Sequence, residues 1–179
     1  MSQLLLFIYR LPIPAALLLL LTSSTICTMA QYHFHTKPWW KPALITASSL
    51  ALIGIFGITI LGREPGSVTI VHLQPLHSYL LWLRGENAES LRSNLMNIFL
   101  FFPLGLLGAA ALPDTWPWRK RITIVVFFGG MVSIGIEGTQ FFLHCGEVET
   151  DDVINNTLGA LLGSSSIPLE ICLWNEIRQ

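Results

Sequence analysis

Residues 122–143 read ITIVVFFGGMVSIGIEGTQFFL, and inside this run stand a carboxylate, Glu137, and an amide, Gln140. About 20 predominantly apolar residues cross the hydrocarbon core of a bilayer, so the stretch reads as a membrane span. An ionisable group at the centre of such a span costs roughly 2.5–3.5 kcal/mol even on the lenient insertion scale. The conflict recurs on either side: Asn94 and Asn97 open the preceding apolar run, and Asp152 and Asn156 begin the following one. Polar groups repeated at helical spacing imply one polar site built by several spans.

Composition agrees. Of 179 residues 52% are hydrophobic and 12% charged, with a mean hydropathy of +0.59. Soluble domains carry about 25% charged residues, so the expected class is all-α, a polytopic transmembrane helical bundle. The net charge of −1 offers no attraction to nucleic acid. Cys27, Cys145 and Cys172 form no closely spaced framework, which argues against disulfides and a structural zinc site.

The clearest spans are Pro42–Gly62, Leu95–Leu112, Ile122–Leu143 and Val153–Leu173, a four-helix core. A further run, Leu11–Ala30, is interrupted early by Pro12 and Pro14. This divides the chain into an N-terminal apolar segment (1–30), a transmembrane domain (31–173) and a short cytoplasmic tail (174–179). Arg63–Ser93 is the long loop, and its segment Val68–Leu83 is amphipathic enough to lie at the interface. Pro113–Pro117 and His144–Asp151 are short connections. Trp39, Trp40, Trp82, Trp116, Trp118 and Trp174 fall near span ends, where aromatic belts form.

Lysine and arginine in short loops mark the cytoplasmic side. Lys37 and Lys41, Arg119–Arg121 and Arg178 fall on one face, and the acidic turn Glu147, Glu149, Asp151, Asp152 on the other. Arg63, Arg84 and Arg92 break the rule but stand near Glu64, Glu86 and Glu89. Three readings fit the first 30 residues: an additional span, sequence upstream of a start at Met29, or a signal peptide cut after Thr28-Met29-Ala30. The last places Lys37 and Lys41 outside, against the charge pattern.

Folded through alternating crossings, the polar residues converge just below the outer surface. Asn94 and Asn97 are three apart, as are Glu137 and Gln140, while Asp152 and Asn156 are four apart. Residues at these spacings share a helix face. Ser133 lies one turn below Glu137, and Gly159 and Gly163 give a GxxxG pair that lets a neighbouring backbone approach. Arg92 and His144 stand at the rim, with Arg92 as the expected partner of Glu137. The candidate set is therefore Asn94, Asn97, Glu137, Gln140, Asp152, Asn156 and Arg92.

Several of these residues also have plainer roles. Asn94 and Asn97 can bridge helices or satisfy first-turn amides, and Asp152 suits an N-cap. Pro103 and Gly105 suit a kink, His144 a solvated rim position, and Arg119–Arg121 a topogenic cluster. Glu137, among Ile136, Phe141 and Phe142, must be paired or protonated, which makes it the strongest functional candidate.

The run Asn94–Gly105 (NLMNIFLFFPLG) resembles a signature of VanZ-like membrane proteins. So do Glu137-x-x-Gln140, Asp151–Gly159 (DDVINNTLG) with Gly163, and the loop Val71–Ser78 (VHLQPLHS). The resemblance covers roughly Pro42 to Gly163. It implies a multi-pass protein of the bacterial cytoplasmic membrane, in a family whose namesake is linked to low-level teicoplanin resistance. That family typically carries an arginine between the Glu-x-x-Gln and Asp-Asp helices. Here the segment reads His144-Cys145-Gly146-Glu147-Val148-Glu149, without one.

No GxSxG, HExxH or Cys/His pair at metal-ligand spacing occurs, and Ser133 has no histidine at its depth. Two functions fit. One is a binding protein whose outer pocket recognises an envelope lipid or cell-wall-related amphiphile, lipid-linked or glycopeptide-like. The other is a membrane enzyme using Glu137 and Asp152 as acid and base on a lipid-linked substrate, or as cation ligands with Asn97 and Asn156. A small transporter is disfavoured by the apolar inner halves of the spans. The residues select no cofactor and no oligomeric state.

Orientation is testable by single cysteines at Thr115 and Glu149 in a background lacking Cys27, Cys145 and Cys172. Residue 149 should react with an impermeant thiol reagent in intact cells and residue 115 only after lysis; the reverse pattern overturns the orientation.

Overall fold

A computed structural model describes residues 12–61, 63, 70–87 and 89–177. Leu11, Gly62, Glu64, Val68 and Arg178, to which the sequence expectations extend, lie outside these residues. In chain order the elements are α1 (Ile13–Phe34), α2 (Trp40–Phe56) continued by a π-turn (Gly57–Leu61), β1 (Val71–His72) and α3 (His77–Leu83). Then come α4 (Glu89–Ala111), α5 (Trp118–Leu143), β2 (Val148–Glu149) and α6 (Thr150–Ile177). Five of the helices are long and apolar enough to cross a membrane, which makes this a multi-pass membrane protein. The four expected spans are thus joined by α1, which packs against α4 and α6.

Proline and glycine place the ends. Pro12 precedes α1 and Pro14 sits in its first turn, where a missing N–H leaves no intrahelical bond unmade. The prolines that interrupt the apolar run therefore start the helix. Pro117 precedes α5 in an extended conformation, and α5 stops at His144, in the left-handed region at φ 51°, whose N–H bonds back to the last turn. Two starts differ from expectation. Helix α4 begins at Glu89, so Asn94 lies in a helix interior and cannot serve first-turn amides. Helix α6 begins at Thr150, which puts Asp152 inside the first turn, with its side chain turned to Asn97 instead of capping its own helix.

Helix α4 is the centre of the bundle and shares its largest interface with α6. The contact is backbone on backbone. A Cβ on Gly159 would overlap the carbonyl of Ile98, one on Gly163 that of Phe102, and one on Gly105 that of Ala160. On α5, a Cβ at Gly129 would come within 2.8 Å of the Ala160 methyl. Lipid supplies no hydrophobic drive between helices, so close packing of small residues has to hold them. Two apolar clusters flank the seam: Cys27, Leu44, Phe102, Leu106, Ala110 and Ile167, and Ile55, Phe101, Leu104 and Ile136. Leu18, Leu21, Leu50, Ile53, Phe127 and Met131 face outward, as a lipid-facing girdle requires.

The end of the bundle holding the α1–α2 and α4–α5 connections is basic and internally knotted. Lys41 donates to the carbonyls of Ala110 (2.7 Å) and Leu112 (2.9 Å) and pairs with Asp114 at 2.8 Å. It thereby satisfies carbonyls that the end of α4 leaves open. Arg121, 3% exposed, pairs with Asp114 at 3.1 Å and donates to the Trp116 carbonyl. Partial burial works against the Asp114 charge, but the hydrogen bonds and charges of Lys41 and Arg121 prevail and hold its carboxyl below the ordinary value. Lys120 lies 3.7 Å from the Trp116 ring centre. Lys41 and Arg121, read as topogenic charges, are therefore structural caps as well.

The glycine seam gives a direct test. Gly163→Ala should lower unfolding stability in mixed micelles by about 1–3 kcal/mol, the usual cost of overpacking. Gly135→Ala and Gly138→Ala, where an added Cβ meets nothing within 4 Å, should be neutral. Equal effects at all three positions would remove the seam from its central role.

Candidate functional site at the acidic end

Opposite the basic end, three spans and the long loop bring their polar side chains together. Glu137, 6% exposed on α5, accepts a hydrogen bond from the backbone N–H of Glu149 at 3.0 Å. The charge of Asp152, at the start of α6, acts on Glu137, so the two carboxylates are electrostatic neighbours. Asp152 in turn accepts from Asn97 Nδ2 of α4 at 2.6 Å. One turn deeper, Asn156 donates to Ser133 at 2.8 Å. Gln140 Nε2 reaches the Thr59 carbonyl in the π-turn ending α2, at 2.9 Å. Among the described residues, Gln140 Oε1 and Asn156 Oδ1 are enclosed with no protein partner.

The expected set thus divides. Asn97 and Asp152 meet directly, with Glu137 beside them, whereas Gln140 and Asn156 take separate partners on the same helix faces. Asn94 turns away to Ser78 of α3, donating to its Oγ at 3.0 Å. Arg92 is half-buried. The Arg63 charge acts on Glu137 and on Asp152. The Arg63 guanidinium lies over Gly146, where any Cβ would collide with it, and Gly146 has φ +145°, a glycine conformation. The segment between Gln140 and Asp151, which carries no arginine of its own, therefore receives one from the end of α2.

Asp151 is 2% exposed and does a different job from its neighbour. It accepts from the backbone N–H groups of Leu76 and Ser78, the latter at 2.8 Å, and from the Ser78 hydroxyl. It thus caps α3 from another helix and secures Leu76 in the left-handed region at φ 61°. Asn155, one turn on, accepts from Tyr79 at 2.6 Å. Burial and the nearby Asp151 charge raise the Tyr79 hydroxyl above its ordinary value, against the opposing bond to Asn155. Two pairs, each four apart, run side by side down α6: Asp151 and Asn155 face α3, and Asp152 and Asn156 face α4 and α5.

Over this layer the parallel bridge β1–β2 pairs Val71 with Val148 and His72 with Glu149. A cavity of about 250 Å³ opens there, lined by His72, His77, Asn94, Glu89, Glu147 and Glu149 among others. Burial and the adjacent Glu147 carboxylate push the Glu149 carboxyl above its ordinary value, against the charge of His72. Sequence reading passed over Arg63, His72, Ser78, Tyr79, Asp151 and Asn155 as site residues. A usable signal existed for the last two, since Asp151 and Asn155 repeat the spacing of Asp152 and Asn156 one residue earlier.

A family model described as VanZ/LLP1 matches residues 17–171. The match takes in most of α1 as well as the four other spans. No curated protein and no solved structure matches the chain.

Asp151→Ala removes acceptors from three donors and should cost about 1.5–3 kcal/mol, the range for bonds to a charged group. Amide exchange should speed up selectively in residues 76–83. Unchanged exchange there would mean that α3 is held by other contacts.

Proposed function

From the VanZ/LLP1 family, to which the chain belongs, and from the paired carboxylates at the acidic end, we propose that this membrane protein binds the polar head of an envelope amphiphile. The carrying observation is the pair Glu137 and Asp152, brought together from two spans with Asn97 bonded to one and the Arg63 charge acting on both. Carboxylates at this depth are costly unless they meet hydrogen-bond donors or cations. Arg63 and Asn97 meet part of that need. A ligand head rich in hydroxyl or amine donors meets the rest.

The surroundings fit an amphiphile better than a soluble solute. Leu73, Leu76, Trp82 and Leu83 are exposed on and around α3, so the loop that covers the acidic end presents an apolar surface. Such a surface lies comfortably at a membrane interface. With the basic end cytoplasmic, the site faces the outer leaflet, where lipid-linked cell-wall intermediates and glycopeptides are met. Catalysis by Glu137 and Asp152 as an acid–base pair is the second reading, favoured by the charge of Asp152 acting on Glu137.

Native mass spectrometry of the full chain, purified in mild detergent from its envelope, separates these outcomes. A retained amphiphile should be present in the parent chain and reduced about tenfold, or about 1.4 kcal/mol, in Glu137→Gln and Asp152→Asn. Accumulation in the membrane should stay near normal, since both amides preserve size. The same lipid complement in all three chains ends the binding proposal. Chemical conversion of the retained molecule by the parent chain alone moves the assignment to catalysis.

A further inference from the structure

We propose that His72, Glu147 and Glu149 form a divalent-cation site at the acidic end, suited to a transition ion such as Zn²⁺ or Mn²⁺. The proposal is independent of the amphiphile reading. One ligand atom from each residue lies within 4.8 Å of the others, and His72 Nε2 stands 3.8 Å from Glu147 Oε2. Ligand atoms around a four-coordinate zinc, with bonds of about 2.0–2.1 Å, sit roughly 3.3 Å apart. Half-exposed side chains close that gap with small rotations.

The backbone explains why three donors from two distant segments converge. His72 and Glu149 are register partners in the parallel β1–β2 pair, so their side chains leave the same face. Glu147 stands just before β2 and brings its carboxylate to the same cluster. The His72 ring stacks on His77, with centroids 4.9 Å apart and planes 18° from parallel, which restrains the imidazole. The cavity of about 250 Å³ over these residues leaves room for water or a further ligand to complete the coordination.

The donor chemistry selects the ion. One imidazole nitrogen with two carboxylates suits zinc or manganese, whereas calcium and magnesium favour all-oxygen sets. A simple ion pair accounts for the cluster less well. The carboxylates of Glu147 and Glu149 lie within 4.8 Å of each other and of the His72 ring, and a single imidazole cannot offset two adjacent carboxylates. A dication offsets both. Glu149 also holds Glu137 through its backbone N–H, so a bound ion would fix the strand that anchors the intramembrane carboxylate.

The full chain in detergent, stripped by chelator, should be titrated with Zn²⁺ by calorimetry and with Mn²⁺ by electron paramagnetic resonance. Saturable binding of one ion per chain is expected, resistant to excess Ca²⁺. It should weaken at least about tenfold in His72→Asn, Glu147→Gln and Glu149→Gln, as loss of a ligand demands. The Glu147 side chain is 56% exposed, so Glu147→Gln should melt like the parent chain without metal and report binding alone. The absence of saturable binding overturns the proposal. So does binding that survives all three substitutions but is lost with His33 and His35, at the opposite end.

Discussion

The polar pairing inside the spans depends first on how closely α4 and α6 approach. Gly105, Gly159 and Gly163 bring the two backbones into contact, and that contact sets the reach of every side chain between them. Asn97 can bond Asp152 at 2.6 Å because the helices are not separated by a layer of leucines. In hydrocarbon a polar group without a partner is costly. A bundle that places amides and carboxylates inside its spans therefore has to be tightly packed first. The glycines are the precondition of the site.

The two ends of the bundle treat charge differently. At the basic end, Lys41 and Arg121 are consumed by carbonyls and by Asp114. At the acidic end, the charges of Asp152 and Glu149 bear on Glu137, that of Glu149 bears on Asp152, and Arg63 bears on both Glu137 and Asp152. One end is closed by complementary charge, and the other concentrates like charge. This asymmetry is why the binding reading and the cation site both fall at the acidic end.

Much of the fold was legible because hydropathy and helical spacing act over long stretches. The four central spans, the GxxxG approach and the recurrence of polar residues followed from that. Helix α1 was left open because an apolar run near the start also reads as a signal or an upstream extension, and because Pro12 and Pro14, noted as interruptions, in fact suit a first turn. The start of α4 was missed because hydropathy reports the membrane, and residues 89–93 are helical but polar. Partner choice was less accessible still. Asn94 and Asn97, roughly 60° apart around the axis, find different neighbours, and no local pattern tells which. Arg63 and the two-residue strands are long-range features: Val71 and Val148 pair across the whole intervening bundle.

The side-by-side pairs on α6 have a mechanical consequence. Asp151 and Asp152 point about 100° apart on one rigid cylinder, one holding the loop helix and the other reaching the buried pair. Turning α6 about its axis to relax either grip would drag on the other. Loop docking and pocket geometry are therefore geared together, and the loop cannot lift away without shifting the floor beneath it.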